Sequence, residues 1–451
     1  MSPPMKAAPL INNKLVLIQF SLLFLLFTAI SVLGPPRDEV VVIPRAKMAT
    51  QSPQGQGAQR GALDVMEEGE EPPLTEDHSG LSEIAPGRLS HKQIVRDGDR
   101  YWGNLDNGWR ARLSLDPRFQ EVAERHFSRS HSALGAIVMM EIDTGRIIGL
   151  SEYHDPEHVV SRKIKVGDEL HMGLRALAPS AGGFRLITYI ALLESGLNPK
   201  KNICYTKLQG GHVQAKHLEN RNPGPCKNLS KGFIDQDLSL LAYATHSRLK
   251  SADLKRAALR AGFDQRIPYF DLPYELSKAH VPTTEVARVK TALGLQNTKM
   301  SVLQAAMISA MIANGGRLVR PQLVDLIERE DGSRHEAPRL APMKQTGVKA
   351  ETARNLRAMM RGAIQGGDLS SIFEDWPAEL SGVKVAGQSS LKTYRKQMFR
   401  RYTWFIGFAP AHRPKWAFAT MILNSERWYV RADHLTHRVL KDYLPSLVRG
   451  Q

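Results

Sequence analysis

Residues 179–196 read Pro-Ser-Ala-Gly-Gly-Phe-Arg-Leu-Ile-Thr-Tyr-Ile-Ala-Leu-Leu-Glu-Ser-Gly. Small residues, Ser180 to Gly183, lead into an apolar run that closes at Glu194, Ser195 and Gly196. Glycine just past an apolar run is a helix stop, so one helix is predicted, with Gly182 to Arg185 in its opening turn. Gly182 and Arg185 are three residues apart and share one face of that turn. Alone, the segment reads as an amphipathic core helix with a glycine-rich start.

The surrounding chain sets the context. Its 451 residues, 42% of them apolar, suffice for a large core in one or two domains. Leu15 to Leu33 is almost unbroken apolar sequence, interrupted only by Gln19, Ser21, Thr28 and Ser31. As a helix it would span roughly 28 Å, about the thickness of a bilayer core. Lys6 and Lys14 precede it and Asp38 and Glu39 follow, which predicts a cytoplasmic tail over 1–14 and an anchor over 15–34. The run is long for a cleavable signal peptide, and Gly34-Pro35-Pro36 lacks a small-x-small cleavage pattern, so the anchor reads as retained. Residues 35–88, rich in Gln, Gly, Glu, Pro and Ser, read as a disordered linker that buries too little to fold. The folded domain is expected over 89–451.

Export agrees with the cysteines. Cys204 and Cys226 flank a polar stretch and suit a disulfide outside the cytoplasm, although two free thiols fit the sequence as well. His212 and His217 lie between them at a spacing that fits no familiar zinc pattern. No metal or cofactor is expected. The net charge of +16 points to a polyanionic partner, and export disfavours nucleic acid as that partner.

Four further segments have a definite local reading. In Leu113–Glu124, Asp116 suits a helix N-cap and Pro117 the first helical position. Gly135–Leu150 reads as a hairpin turning at Asp143-Thr144-Gly145. A helix from Ser301 stops at Gly315-Gly316 and exits at Pro321. After a helix near 350–364, strands are expected at 383–388, 403–409 and 416–423, then a closing helix over 432–448. In order, spacing and residue type these landmarks resemble the penicillin-binding transpeptidases. That family has a Gly-Ala-x-Val…Thr-Gly-x-Ile hairpin, an Ala-Asn-Gly-Gly…Pro segment and a Trp-Phe-x-Gly-Phe-x-Pro strand, matched here by Gly135–Ile147, Ala313–Pro321 and Trp404–Pro410. The resemblance covers roughly residues 110–450. It implies an α/β (α+β) fold with an antiparallel five-stranded sheet flanked by helices and an all-helical subdomain.

The resemblance also locates three motifs, and all three are altered. The family's nucleophile helix opens Pro-Gly-Ser-x-Phe-Lys; Phe184, Ile187, Thr188, Glu194 and Gly196 keep its frame, while Gly182 replaces the serine and Arg185 the lysine. A lysine at i+3 can lose its proton and activate the serine, whereas guanidinium stays protonated and glycine has no side chain. The Ser-x-Asn position falls at Thr245-His246-Ser247 or His246-Ser247-Arg248. There His246 and Ser247 offer a hydrogen-bonded pair or simply a polar helix end. The Lys-Thr-Gly position reads Gln388-Ser389-Ser390, which keeps a hydroxyl and loses the charge.

Relocated chemistry finds little support. Ser180 has no lysine three residues on, and Ser247-x-x-Lys250 and Ser389-x-x-Lys392 begin no suitable helix. His434 and His437 share a helix face without a third metal ligand. Between 384 and 401 stand Lys384, Lys392, Arg395, Lys396, Arg400 and Arg401 with no acid. They read either as lysines guarding a sheet edge or as a binding surface for anionic cell-wall peptides or an acidic protein. The expectation is a single-pass protein of the bacterial inner membrane with its domain in the periplasm. It is expected to be a pseudoenzyme that binds peptidoglycan or its stem peptides and other cell-wall synthesis proteins. The competing readings are an active DD-transpeptidase or carboxypeptidase using a non-standard serine, and a hydrolase of small soluble substrates.

Overall fold

From Leu89 the chain lays down β1 (Leu89–Asp97), β2 (Arg100–Leu105) and β3 (Arg110–Leu113), then enters α1 (Pro117–Ser128). The entry is set locally: the Asp116 carboxylate accepts from the Arg118 N–H at 2.8 Å, and Pro117 takes the first helical position, where no N–H is needed. The predicted hairpin follows as β4 (Leu134–Glu141) and β5 (Ile147–His154). Gly145 in its turn has φ +77°, and a Cβ there would lie 1.8 Å from the Arg320 carbonyl oxygen.

The middle of the chain is mainly helical. It contains β6 (Ala178–Pro179), α2 (Gly182–Glu194), β7 (Asn202–Cys204), α3 (Ala215–Leu218), β8 (Cys226–Asn228), α4 (Leu229–Ile234) and α5 (Leu238–Arg248). Then come α6 (Ser251–Arg260), β9 (Lys278–Ala279), α7 (Glu285–Ala292), β10 (Thr298–Met300) and α8 (Val302–Ala313). The remainder is β11 (Val324–Glu328), β12 (Arg334–Glu336), α9 (Ala350–Gly366), β13 (Ala386–Tyr394), β14 (Arg400–Ala409), β15 (Trp416–Asn424) and α10 (Ala432–Arg449).

This computed structural model describes residues 89–155, 157–158, 172–209, 212–219, 224–267, 272–337, 343, 346–367, 369–376, 386–394, 400–424 and 430–449. The expected tail, anchor and linker over 1–88 lie outside the described residues. Among the described residues no helix is long and apolar enough to cross a membrane.

The central sheet is antiparallel, ordered β13-β14-β15-β4-β5, and carries a separate apolar cluster on each face. Alternation along the strands divides them. Trp404, Ile406 and Phe408 join the cluster that holds α8 and α2, whereas Phe405 and Ala409 join the cluster under α1 and α10. On β4, Val138 and Met140 face the first and Ile137 and Met139 the second. Truncating a fully buried aromatic in such a core costs about 3–5 kcal/mol. Ser301 caps α8 by accepting from the Gln304 N–H at 3.1 Å, and Gly315 and Gly316 end it with φ of +83° and +101°.

Two features depart from the local reading. The strand expected at 383–388 runs instead over Ala386–Tyr394. A second five-stranded antiparallel sheet, ordered β1-β2-β3-β11-β12, joins the start of the domain to the segment after α8. Its key pairing sets Leu113 against Val324, and Arg146 clamps the junction, donating to Asp325 at 2.7 and 2.8 Å.

Candidate functional site

The opening turn of α2 is held from three sides. Pro179 pairs with Lys299 across β6 and β10. Ser180 is fully buried; its N–H donates to the Thr298 carbonyl at 3.3 Å and its hydroxyl to Thr298 Oγ1 at 2.5 Å. The Trp404 indole N–H, from the central sheet, donates to the Pro179 carbonyl at 3.0 Å. Ala181 is the N-cap with φ 44° and ψ −125°, a left-handed conformation that alanine adopts only under constraint. Part of the constraint is visible in Gly294, where a Cβ would sit 1.8 Å from the Ala181 carbonyl oxygen.

The helix behind this turn is buried from Gly182 to Leu193. Phe184 meets Phe263 edge to face at 5.5 Å and Tyr189 meets Phe233 at 4.9 Å, which anchors two sides of the cylinder. Thr188 Oγ1 donates to the Ala292 carbonyl at 2.7 Å. Arg185, only 7% exposed, donates from Nε to the Leu293 carbonyl at 3.2 Å. Burial pushes its pKa down to about 10, against an opposing influence from Tyr189. The same burial drives the Tyr189 phenol upward.

The second altered position lies at the end of α5, which packs on α2. Thr245 is fully buried with its hydroxyl unpartnered, His246 is half-buried with Nδ1 unpartnered, and Ser247 is exposed. The Ser247 hydroxyl donates to the Ala244 carbonyl at 3.3 Å. That bond runs back into its own helix and not to His246, which is the contact of a polar helix end. Lys250 belongs to the cap of α6 and not to α5, so Ser247 and Lys250 do not share a helix face.

The third position lies on β13, which also borders α2. Gln388, Ser389 and Ser390 stand opposite Ile406, Phe405 and Trp404 of β14, and Lys392 opposite Tyr402. Lys384, Arg395 and Lys396 lie outside the described residues. Both α5 and β13 therefore pack on the helix that carries the first altered position.

A separate device supports α5. Cys204 and Cys226 are directly opposed in the β7–β8 ribbon and are joined by a disulfide. Lys227 reaches Asp235 at 3.0 Å and Asp237 at 3.1 Å, and the Tyr205 hydroxyl donates to Asp237. Asp237 caps α5, accepting from the N–H groups of Ser239 and Leu240 at 3.1 Å. Burial raises the Asp237 pKa, but the hydrogen bonds from Tyr205, the Leu240 N–H and Lys227 outweigh it and leave the group below its ordinary value. Nothing in the sequence marked Asp237 as the link between cysteine ribbon and helix, apart from its suitability as an N-cap.

The histidines serve separate places. His212 is exposed, while His217 is buried with both ring nitrogens unpartnered. His434 is exposed; His437 is buried 3.1 Å from Asp375, with its ring edge-on to Phe373 and Trp376. Among the described residues no three His, Cys, Asp or Glu side chains converge as metal ligands. A cavity of about 590 Å³ lies elsewhere, walled by the Arg96–Glu121 pair, Arg146, Tyr443 and Trp416, with no residue of α2, α5 or β13 in its lining.

Known proteins share this architecture. Residues 135–444 match the family model described as the penicillin binding protein transpeptidase domain. The chain is 25% identical over 359 residues to the peptidoglycan D,D-transpeptidase PbpA of Mycobacterium tuberculosis, covering 73% of this chain and 70% of that protein. It is 23% identical over 382 residues to the penicillin-binding protein PbpB of the same species, covering 81% of this chain and 54% of that protein. Among solved structures, the imipenem acyl-enzyme complex of M. tuberculosis penicillin-binding protein A superposes with a TM-score of 0.62 at 20% identity, covering 75% of this chain and 80% of that one. M. tuberculosis penicillin-binding protein 3 with aztreonam gives 0.61 at 19% identity, covering 78% and 81%. Matched over more than half its length by that model, the chain belongs to the penicillin-binding protein transpeptidase domain family.

Proposed function

We propose that this chain is a membrane-anchored member of the family that has given up acyl-enzyme chemistry and acts as a binding or scaffolding component of peptidoglycan assembly. The observation that carries this reading is the first turn of α2. Gly182 offers no nucleophile, and one turn on, on the same face, Arg185 offers a group that cannot take up a proton. Loss of the nucleophile alone costs a comparable serine enzyme on the order of a million-fold in turnover. Two serines near the altered positions in sequence supply no substitute: Ser180 is fully buried and bonded to Thr298, and Ser247 is bonded to its own helix.

The ligand class follows from the relative named peptidoglycan D,D-transpeptidase PbpA. A peptidoglycan stem peptide ending in a carboxylate is the molecule the domain would hold. Lys384, Lys392, Arg395 and Lys396, from the acid-free stretch 384–401, are the residues we propose to meet its charge. Residues 15–34 anchor the chain, and the linker over 35–88 sets the reach of the domain from the membrane.

The test is covalent labelling. The full chain, incubated with a fluorescent penicillin and denatured, is expected to carry no label under conditions that saturate an active transpeptidase. Stable label that survives denaturation would overturn the reading and return an active enzyme with a non-standard serine. Release of a small ester or amide product that Ser247→Ala or Ser389→Ala abolishes would overturn it in favour of a hydrolase.

A further inference from the structure

The 17-residue helix α9 starts without a cap. Lys349 is its N-cap residue and makes no side-chain hydrogen bond to the first turn. Lysine has no acceptor to offer there, and its charge stands at the positive end of the backbone dipole. The Ala353 N–H donates to the Lys349 carbonyl at 3.0 Å, but among the described residues the N–H groups of Ala350, Glu351 and Thr352 find no acceptor. A helix start of this length normally meets such donors with a capping side chain or another acceptor.

A cavity of about 450 Å³ opens in front of this turn, between α9 and the segment that follows α2. Lys349, Thr352 and Asn355 line it at i, i+3 spacing, from one face of α9. Thr352 is independent evidence of a missing ligand. Only 3% of the residue is exposed, yet its hydroxyl bonds to no described group and is not sealed off, so the surface it keeps opens into the cavity it lines. From the facing wall comes Lys200, whose backbone is set by its N–H donating to Asn198 Oδ1 at 2.9 Å. Two carboxylates border the space. Glu194 is already committed, to Arg260 at 2.8 Å and to the Lys349 N–H at 2.8 Å. Glu351, exposed in the first turn, opposes an incoming anion.

From these observations we infer that the start of α9 and the segment after α2 form a binding site for a phosphate group. A tetrahedral oxyanion has acceptors enough for the open N–H groups, the Thr352 hydroxyl and the Lys200 and Lys349 ammoniums together, where a planar carboxylate would leave some unmet. The phosphate is either a free ion or the ester of a larger molecule, for which the cavity has room. The site stands at the far end of α2 from Gly182, about 18 Å along the helix axis. It is therefore independent of whether the chain forms an acyl-enzyme.

Titration of the purified full chain tests this, with sodium phosphate and glycerol 3-phosphate as probes, and sodium acetate and sodium chloride at matched ionic strength as controls. The phosphates are expected to bind saturably and raise the melting temperature, acetate to bind roughly tenfold more weakly, and chloride to do neither. Lys349→Gln and Thr352→Val are each expected to weaken phosphate about threefold or more, and Glu351→Gln to tighten it. Lys349→Ser, which supplies the missing cap, is expected to melt higher than the parent without ligand and to lose the response to phosphate. Lys349 is exposed, so its two variants keep the test open even where Thr352→Val disturbs the fold. Tighter binding of glycerol 3-phosphate than of free phosphate would assign the site to an ester, and the reverse order to the free ion. No response to either phosphate, acetate binding as tightly as phosphate, a response that chloride reproduces, or a phosphate affinity unchanged in both Lys349 variants would overturn the inference.

Discussion

The central sheet and the first turn of α2 meet at Trp404, yet they are built on opposite terms. Along β14 and β15 nearly every described side chain is buried in one of two apolar clusters, and the buried threonines are paired. Thr403 accepts from the Ala432 N–H at 3.0 Å, and the Thr436 hydroxyl donates to Thr420 at 2.6 Å. The α2 turn carries an alanine in a left-handed conformation and a buried guanidinium that no carboxylate of the described residues pairs with. Residues of the sheet are accounted for by folding. Those of the turn are not, and strain and unpaired charge of this kind gather where proteins bind ligands.

Substitutions in the two regions should therefore move stability in opposite directions. The largest effect is expected for Trp404→Ala, which empties the sheet core and removes the tether to Pro179; about 3–5 kcal/mol of unfolding free energy should be lost in a denaturant titration. Replacing Cys204 and Cys226 together by alanine should cost about 3 kcal/mol under oxidising conditions and nothing once the parent is reduced. A construction in which the loss persists in reductant would show that the β7–β8 ribbon owes its stability to packing.

Smaller effects sharpen the contrast. Asp237→Asn should cost about 1 kcal/mol near neutral pH: asparagine still caps α5 but removes the charge that Lys227 and the Tyr205 hydroxyl meet. Because the folded state holds the Asp237 pKa below its ordinary value, the unfolded chain binds the proton more readily. Its stabilisation is thus complete above the ordinary carboxylate range and fades as pH falls through the folded value. Melting curves of parent and variant should converge in acid; a constant gap would contradict that origin. Ala181→Gly, in contrast, should gain about 0.5–1 kcal/mol by relieving a left-handed alanine.

The parts of the molecule that sequence foretold are those fixed by neighbours in the chain. Asp116-Pro117 sets the start of α1, Asp143-Thr144-Gly145 the hairpin, and Ser301 with Gly315-Gly316 the limits of α8. The second sheet escaped notice because its decisive pairing joins Leu113 to Val324, and β1 and β2 are polar enough to resemble loops. Periodicity reports which face is apolar, not which distant strand will cover it. At the site, Gly182 and Arg185 were legible as substitutions against a family pattern. What could not be read was that Arg185 would be enclosed with the Leu293 carbonyl as its acceptor, since that depends on a segment brought in by tertiary packing.

The central claim is that the family scaffold persists here without the means to form an acyl-enzyme. Intact-protein mass spectrometry of the full chain after prolonged exposure to excess penicillin addresses it most directly. An unchanged mass is predicted for the parent and for its Ser180→Ala and Ser247→Ala variants alike. An adduct with the mass of the opened drug, mapped by proteolysis to a single serine and lost when that serine is replaced, would contradict it.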